Sequence, residues 1–303
     1  MRPRYHRLMR ALVVAGAIGL GLKLLVWWLE PRMAFFPTRG VQETPAATGL
    51  PFVDVRIPTE DGETLHAWWL EHPQPSAQVL FFHGNGGNLS LWLDVIAALR
   101  QRGFSVLAVD YRGYGDSTGR PSERGLYRDA DAAARVFTER FRRAGSPVVY
   151  WGRSIGAAVA ASAASRGVAD ALVLESPFPD MRSIFAGNPV MRLLTLFSSY
   201  RFPTSRFVDG YIDRYQDRSG PPLLVIHGDA DSIIPYAAGR RVFDRARTTR
   251  KTLLTIPGAD HNDLHVVSPD AYWRGIGEFV RSLSAAGQPG RNEGGTGPAT
   301  LLR

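Results

Sequence analysis

The chain has 303 residues, 45% of them apolar, no cysteine and a formal net charge of +8. That length can bury one large core or two ordinary ones, and the missing cysteine excludes disulfides, thiol nucleophiles and thiolate metal sites while fitting either redox compartment. The positive balance does not point to nucleic acid, because all but Lys23 and Lys251 of the 36 basic residues are arginines scattered among acids rather than gathered in a block.

Residues 1–10, "MRPRYHRLMR", carry four arginines and no acid. The next 19, "ALVVAGAIGLGLKLLVWWL" (11–29), hold Lys23 as their only charge. At 1.5 Å per residue such a run covers about 28 Å, close to the hydrocarbon thickness of a bilayer. Lys23 can snorkel outward, and Trp27 and Trp28 suit the headgroup interface. The run is too long for a signal-peptide core, and the nearest small-residue cleavage candidate, "PAAT" at 45–48, lies too far downstream. An uncleaved single-pass anchor is therefore expected, with the basic flank cytoplasmic and the rest of the chain on the extracytoplasmic side.

A Pro-containing linker is expected over 30–51, then one α/β domain over 52–284. "FVDVRI" and "TLHAWWLE" alternate as the half-exposed antiparallel strands of a hairpin would. "QVLFFH", "FSVLAVD", "PVVYWG", "ALVLES", "PLLVIHG" and "TLLTIP" are short apolar runs of the kind that form parallel strands covered on both faces. Helical segments separate them: "LWLDVIAALRQR", "SERGLYRDADAAARVFTERFRR", "SIGAAVAASAASR", "AAGRRVFDRARTT" and "DAYWRGIGEFVRSLS". The reading is an eight-stranded, mostly parallel sheet flanked by helices. Residues 181–220 exceed a normal connection and are expected to form a small cap insertion over the carboxyl edge of the sheet. Residues 285–303, rich in glycine and proline, read as a disordered tail.

Chemistry concentrates at strand ends. Ser154, in "GRSIG", directly follows a strand and opens an Ala-rich helix, the strand–turn–helix setting of a nucleophile elbow. A serine hydroxyl needs a general base and an orienting carboxylate before it can attack. His261, in "PGADHNDL", follows the last strand, with His265 as a rival one helical turn on. For the acid, Asp231 in "HGDADSIIP" stands beside Asp229, and Glu175 after the sixth strand is a third candidate. The order Ser154, Asp231, His261 suits acyl transfer. Two N–H donors for a tetrahedral intermediate are expected at Ile155 and in "HGNGGNLS", with Asn85 the candidate there. That glycine-rich loop lacks the lysine and spacing of a phosphate loop. No His-rich spacing calls for a metal, and no cofactor is required.

Taken together, "FFHGNGGN", "DYRGYGDSTGRPSE", "WGRSIGAAVA", "HGDADSIIP" and "GADHND" resemble the α/β-hydrolase superfamily, in its branch of membrane-anchored, serine aminopeptidase-like hydrolases. The resemblance spans about residues 30–284. It implies the α/β-hydrolase fold, Ser154 as nucleophile, Asp231 as acid, His261 as base, and an oxyanion hole of Asn85 and Ile155. It also implies a small-molecule or acylated substrate cleaved at an ester or thioester. An aminopeptidase-type peptidase and a non-catalytic membrane-anchored scaffold are the other classes left open. Phe185, Met191, Leu193, Leu194, Leu196, Phe197 and Tyr200 would line an acyl pocket in the cap or bury the cap against the sheet.

Overall fold

The computed structural model describes residues 2–185, 187, 189–213 and 221–286. Eight strands form one sheet: β1 (Val53–Pro58), β2 (Thr64–Leu70), β3 (Ala77–Phe82), β4 (Phe104–Val109), β5 (Val148–Arg153), β6 (Ala171–Glu175), β7 (Leu223–Gly228) and β8 (Lys251–Ile256). Their order across the sheet is β8-β7-β6-β5-β3-β4-β2-β1. β1 pairs antiparallel with β2, and β2 antiparallel with β4, while β4, β3, β5, β6, β7 and β8 are mutually parallel.

Continuous apolar runs are what a strand covered on both faces requires, and alternate residues of β3 divide between two cores. Leu80 and Phe82 join one with Leu126, Val159 and Val208. Val79 and Phe81 join the other with Trp151, Tyr272 and Phe279. Truncating Phe81 or Phe82, both fully buried, to alanine would cost about 3–5 kcal/mol.

The helices, in chain order, are α1 (Arg2–Ala34), α2 (Leu93–Gln101), α3 (Glu123–Val136), α4 (Ile155–Ala164), α5 (Met181–Ile184), α6 (Pro189–Leu194), α7 (Thr204–Asp213), α8 (Tyr236–Arg245), α9 (Leu264–Val267) and α10 (Pro269–Ala286). Ser122 caps α3 by accepting from the Gly125 N–H at 3.1 Å. Below α3 the chain widens into a π turn, Phe137–Phe141, where Phe141 stacks on Trp69 at 4.6 Å.

Two boundaries differ from the sequence expectation. The anchor helix does not stop at residue 29: it continues through Ala34, with Pro31 inside it, and the following segment is pinned rather than loose. Phe36–Pro37 pair in parallel with Gly86–Gly87, and Asn88 Nδ2 donates to Gly40 O at 2.6 Å. The insertion is likewise only partly a cap, because α7 buries Val208, Tyr211 and Ile212 and packs on α4. It is the crossover helix that a parallel β6–β7 pair needs. The cap proper is about 181–203. The expected tail lies largely outside the described residues, as do residues 214–220 of the insertion.

Candidate active site

Chain order reverses across the sheet at β3, between β5 and β4, and the crevice beyond the carboxyl ends of strands at such a point is where open α/β sheets bind ligands. Ser154 sits there, one residue past β5 and half-buried. Its backbone stands at φ 55, ψ −119, a strained conformation for a residue with a side chain. Its N–H donates to Glu175 O at 2.8 Å, and its carbonyl accepts from Ala157. The turn closes only because its flanking residues are glycines: a Cβ on Gly156 would lie 2.3 Å from Phe82 O, and one on Gly152 2.0 Å from Gly156 O.

Asp231, three residues beyond β7, points its Oδ2 at His261, whose Nδ1 is 2.8 Å away. His227 Nε2 lies 3.2 Å from the same oxygen, and Oδ1 accepts from the N–H groups of Ile233 and Ile234 at 3.0 and 2.7 Å. Burial alone would raise this carboxyl, but the hydrogen bonds from His227 and His261 and the Ile234 N–H hold it well below the usual carboxylate range. The sequence rivals lie elsewhere. Asp229 is exposed and accepts from Gly258 N at 2.6 Å, closing a turn. Glu175 is buried beneath the elbow, where Trp151 Nε1 and Tyr272 Oη each approach it at 3.2 Å. His265 lies against the Tyr272 ring, its imidazole pushed down by burial.

Ile155 opens α4, so its N–H has no intrahelical acceptor and stands beside Ser154. Asn85 enters differently from a side-chain donor. Its Nδ2 donates to Ala34 O at 2.7 Å and its Oδ1 accepts from Tyr114 Oη at 3.1 Å, which fixes the side chain against the end of α1 and leaves the main-chain N–H to be considered beside it. The loop that carries it rests on Asp110, fully buried, which accepts from Leu89 N at 3.0 Å and faces His83 Nε2 at 3.3 Å.

Arg153 is missed by sequence reasoning, since an arginine in the variable position of G-x-S-x-G reads as a surface charge. It is 1% exposed, donates to His261 O at 2.6 Å, faces Glu175 Oε1 at 3.5 Å and covers the Trp92 ring. Glu30 is the second. Buried at the end of the anchor, it accepts from Ser199 N and Tyr200 N at 3.0 and 3.2 Å and from both serine hydroxyls of Ser198 and Ser199. The seven residues expected to line or bury the cap divide: Tyr200 is buried against Phe35 at 5.3 Å between ring centroids, Phe185, Met191 and Phe197 are half-buried, and Leu193, Leu194 and Leu196 face outward.

Comparison with known proteins agrees with this architecture. Residues 73–219 match the serine aminopeptidase S33 family. An uncharacterized protein of Mycobacterium tuberculosis is 32% identical over 290 residues, 92% of this chain and 98% of its own length. The α/β-hydrolase domain-containing protein aho-3 of Caenorhabditis elegans is 32% identical over 77% of this chain and 67% of its own. The mouse lysophosphatidylserine lipase ABHD12 is 32% identical over 60% of this chain, which spans about half (49%) of that relative. Among solved structures, a Pyrococcus furiosus esterase superposes with a TM-score of 0.68 at 23% identity, covering 82% of this chain and 98% of its own.

Proposed function

Because the chain belongs to the α/β-hydrolase family, we propose that it is a membrane-anchored serine hydrolase cleaving ester or thioester bonds, with Ser154 as nucleophile, His261 as base and Asp231 as orienting acid. The observation that carries this reading is the Asp231–His261 hydrogen bond of 2.8 Å, formed by the last two strand-end loops and tied to the strained Ser154 elbow through Arg153.

In the reaction, Asp231 fixes the His261 tautomer with the proton on Nδ1, leaving Nε2 basic. Ser154 Oγ attacks the substrate carbonyl carbon while Nε2 takes its proton. The carbonyl oxygen becomes an oxyanion, met by the Ile155 and Asn85 main-chain N–H groups and the positive end of α4. Collapse expels the alcohol or thiol, protonated by His261, and leaves an acyl-Ser154 ester. Water, deprotonated by His261, then releases the acid and restores the serine.

Acyl or lipid-like substrates fit best. One relative is named as a lysophosphatidylserine lipase, and α1 contains a stretch, Leu8–Ala34, long and apolar enough to cross a membrane. The arginine-rich flank of that helix supports an extracytoplasmic catalytic domain. The S33 family description favours a second reading, cleavage of aminoacyl amides. Parallel assays of p-nitrophenyl esters, acyl thioesters and aminoacyl p-nitroanilides separate the two. Ester and thioester turnover that is lost in His261→Gln supports our reading, and turnover confined to the anilides overturns it.

A further inference from the structure

The part of the cap nearest the anchor presents apolar side chains to solvent. Val190 is 65% exposed, Leu193 59% and Leu196 53%. These residues therefore neither line a pocket nor bury the cap. Their position relative to the anchor is fixed by Glu30, which clamps the chain at 198–200, immediately after them. Glu30 lies two residues beyond Trp28, about 3 Å further along the helix axis. With Trp27 and Trp28 at the headgroup level, the clamp brings 198–200 close to that level, and the segment 190–197 leads directly into it. Met33 and Phe36, 63% and 59% exposed, extend the apolar surface on the anchor side. The whole cap, residues 181–203, contains Arg182, Arg192 and Arg201 and no acidic residue, a composition suited to anionic headgroups.

We propose that the outward face of residues 190–196 is a second membrane contact: the cap seats its apolar side chains in the bilayer interface beside the anchor, with its arginines among the lipid headgroups. The inference rests on α1 being inserted as an anchor, and does not depend on which bond the enzyme cleaves.

The cysteine-free chain permits a direct test by single-cysteine spin labelling of the full-length protein in phosphatidylcholine vesicles containing phosphatidylglycerol. Labels would be placed at Leu193→Cys and Leu196→Cys, with Val14→Cys as the insertion check. The aqueous control is Glu139→Cys, because α3 leads away from the cap contact at Glu123 for 14 residues, about 21 Å, before reaching it. The proposal expects the 193 and 196 labels to relax readily with oxygen and to be shielded from a nickel chelate, while the 139 label is open to the chelate. Chelate access at 193 and 196 equal to that at 139 overturns it. So does shielding from both reagents with dipolar broadening, which marks a second copy of the chain on this face. A Val14 label outside lipid overturns both the anchor and the proposal. Because no turnover is read, loss of the hydrolase reading leaves this measurement interpretable.

Discussion

The guanidinium of Arg153 donates to the main-chain oxygen of His261 at 2.6 Å, so the residue preceding the candidate nucleophile also holds the loop that carries the candidate base. The same side chain faces Glu175 at 3.5 Å in a site closed to water. Arg153→Met therefore leaves a buried carboxylate without its cation and is expected to cost about 3–5 kcal/mol in stability. At temperatures where the variant is folded, its kcat falls with KM little changed, because the loss is of His261 position rather than of substrate contact. Urea unfolding and steady-state ester kinetics check both parts, and a variant with unaltered kcat contradicts the positioning role.

Asp231→Asn keeps the size of the side chain but removes the charge that selects the His261 tautomer. A drop in kcat of roughly 10⁴-fold is expected. The carboxyl is held below its ordinary range in the folded protein, so it contributes stability above the unfolded value of about 3.9 and loses that contribution as pH falls through and below it. Wild type should thus lose stability relative to Asp231→Asn on acidification below about pH 4. Thermal unfolding across pH, done on both proteins, reads the difference directly, and parallel curves would be the contrary result.

His66 offers a second pH test, at the carboxylate on which the glycine-rich loop rests. Burial disfavours its charged form, but Asp110 at 3.5 Å and Asp54 at 2.9 Å favour it, and the net shift is upward. Its stabilising contribution is then complete below the unfolded value of about 6.5 and is lost as pH rises through the raised folded value. The Tm gap between wild type and His66→Gln should shrink as pH rises above about 6.5. A gap independent of pH would exclude this charge pairing.

Gly156→Ala places a methyl group against the carbonyl oxygens of Phe82 and His83, at 2.3 and 2.5 Å. Backbone on both sides leaves no room to relax, and a destabilisation of more than about 3 kcal/mol is expected. Gly86→Ala, which meets nothing within 4 Å, is the tolerated comparison. Similar Tm values for the two variants would contradict the close packing of α4 on β3.

The parts of this fold that could be read from sequence are those with local signatures. The six parallel strands announce themselves as short apolar runs, because both faces of each are covered. Ser154 stands out since a glycine-flanked serine between strand and helix has few structural explanations, whereas Asp231 and His261 share their strand-end neighbourhoods with Asp229, Glu175 and His265, and only the folded contacts separate them. What escaped depends on contacts between distant segments. Nothing near Arg153 signals that Glu175 and the His261 carbonyl will bury it. Glu30 looks like the end of an apolar run, and only its contacts at 198–200 make it a clamp. The cap leucines read as pocket lining or as the buried face of the cap, because composition records apolarity and not the direction it faces.

The most direct test of the account is covalent: the full-length protein is treated with a fluorophosphonate and the modified residue identified by peptide mass. A single adduct on Ser154 is expected, absent from Ser154→Ala and strongly slowed in His261→Gln. A folded wild-type protein that takes no label, or one labelled at another serine, would contradict it.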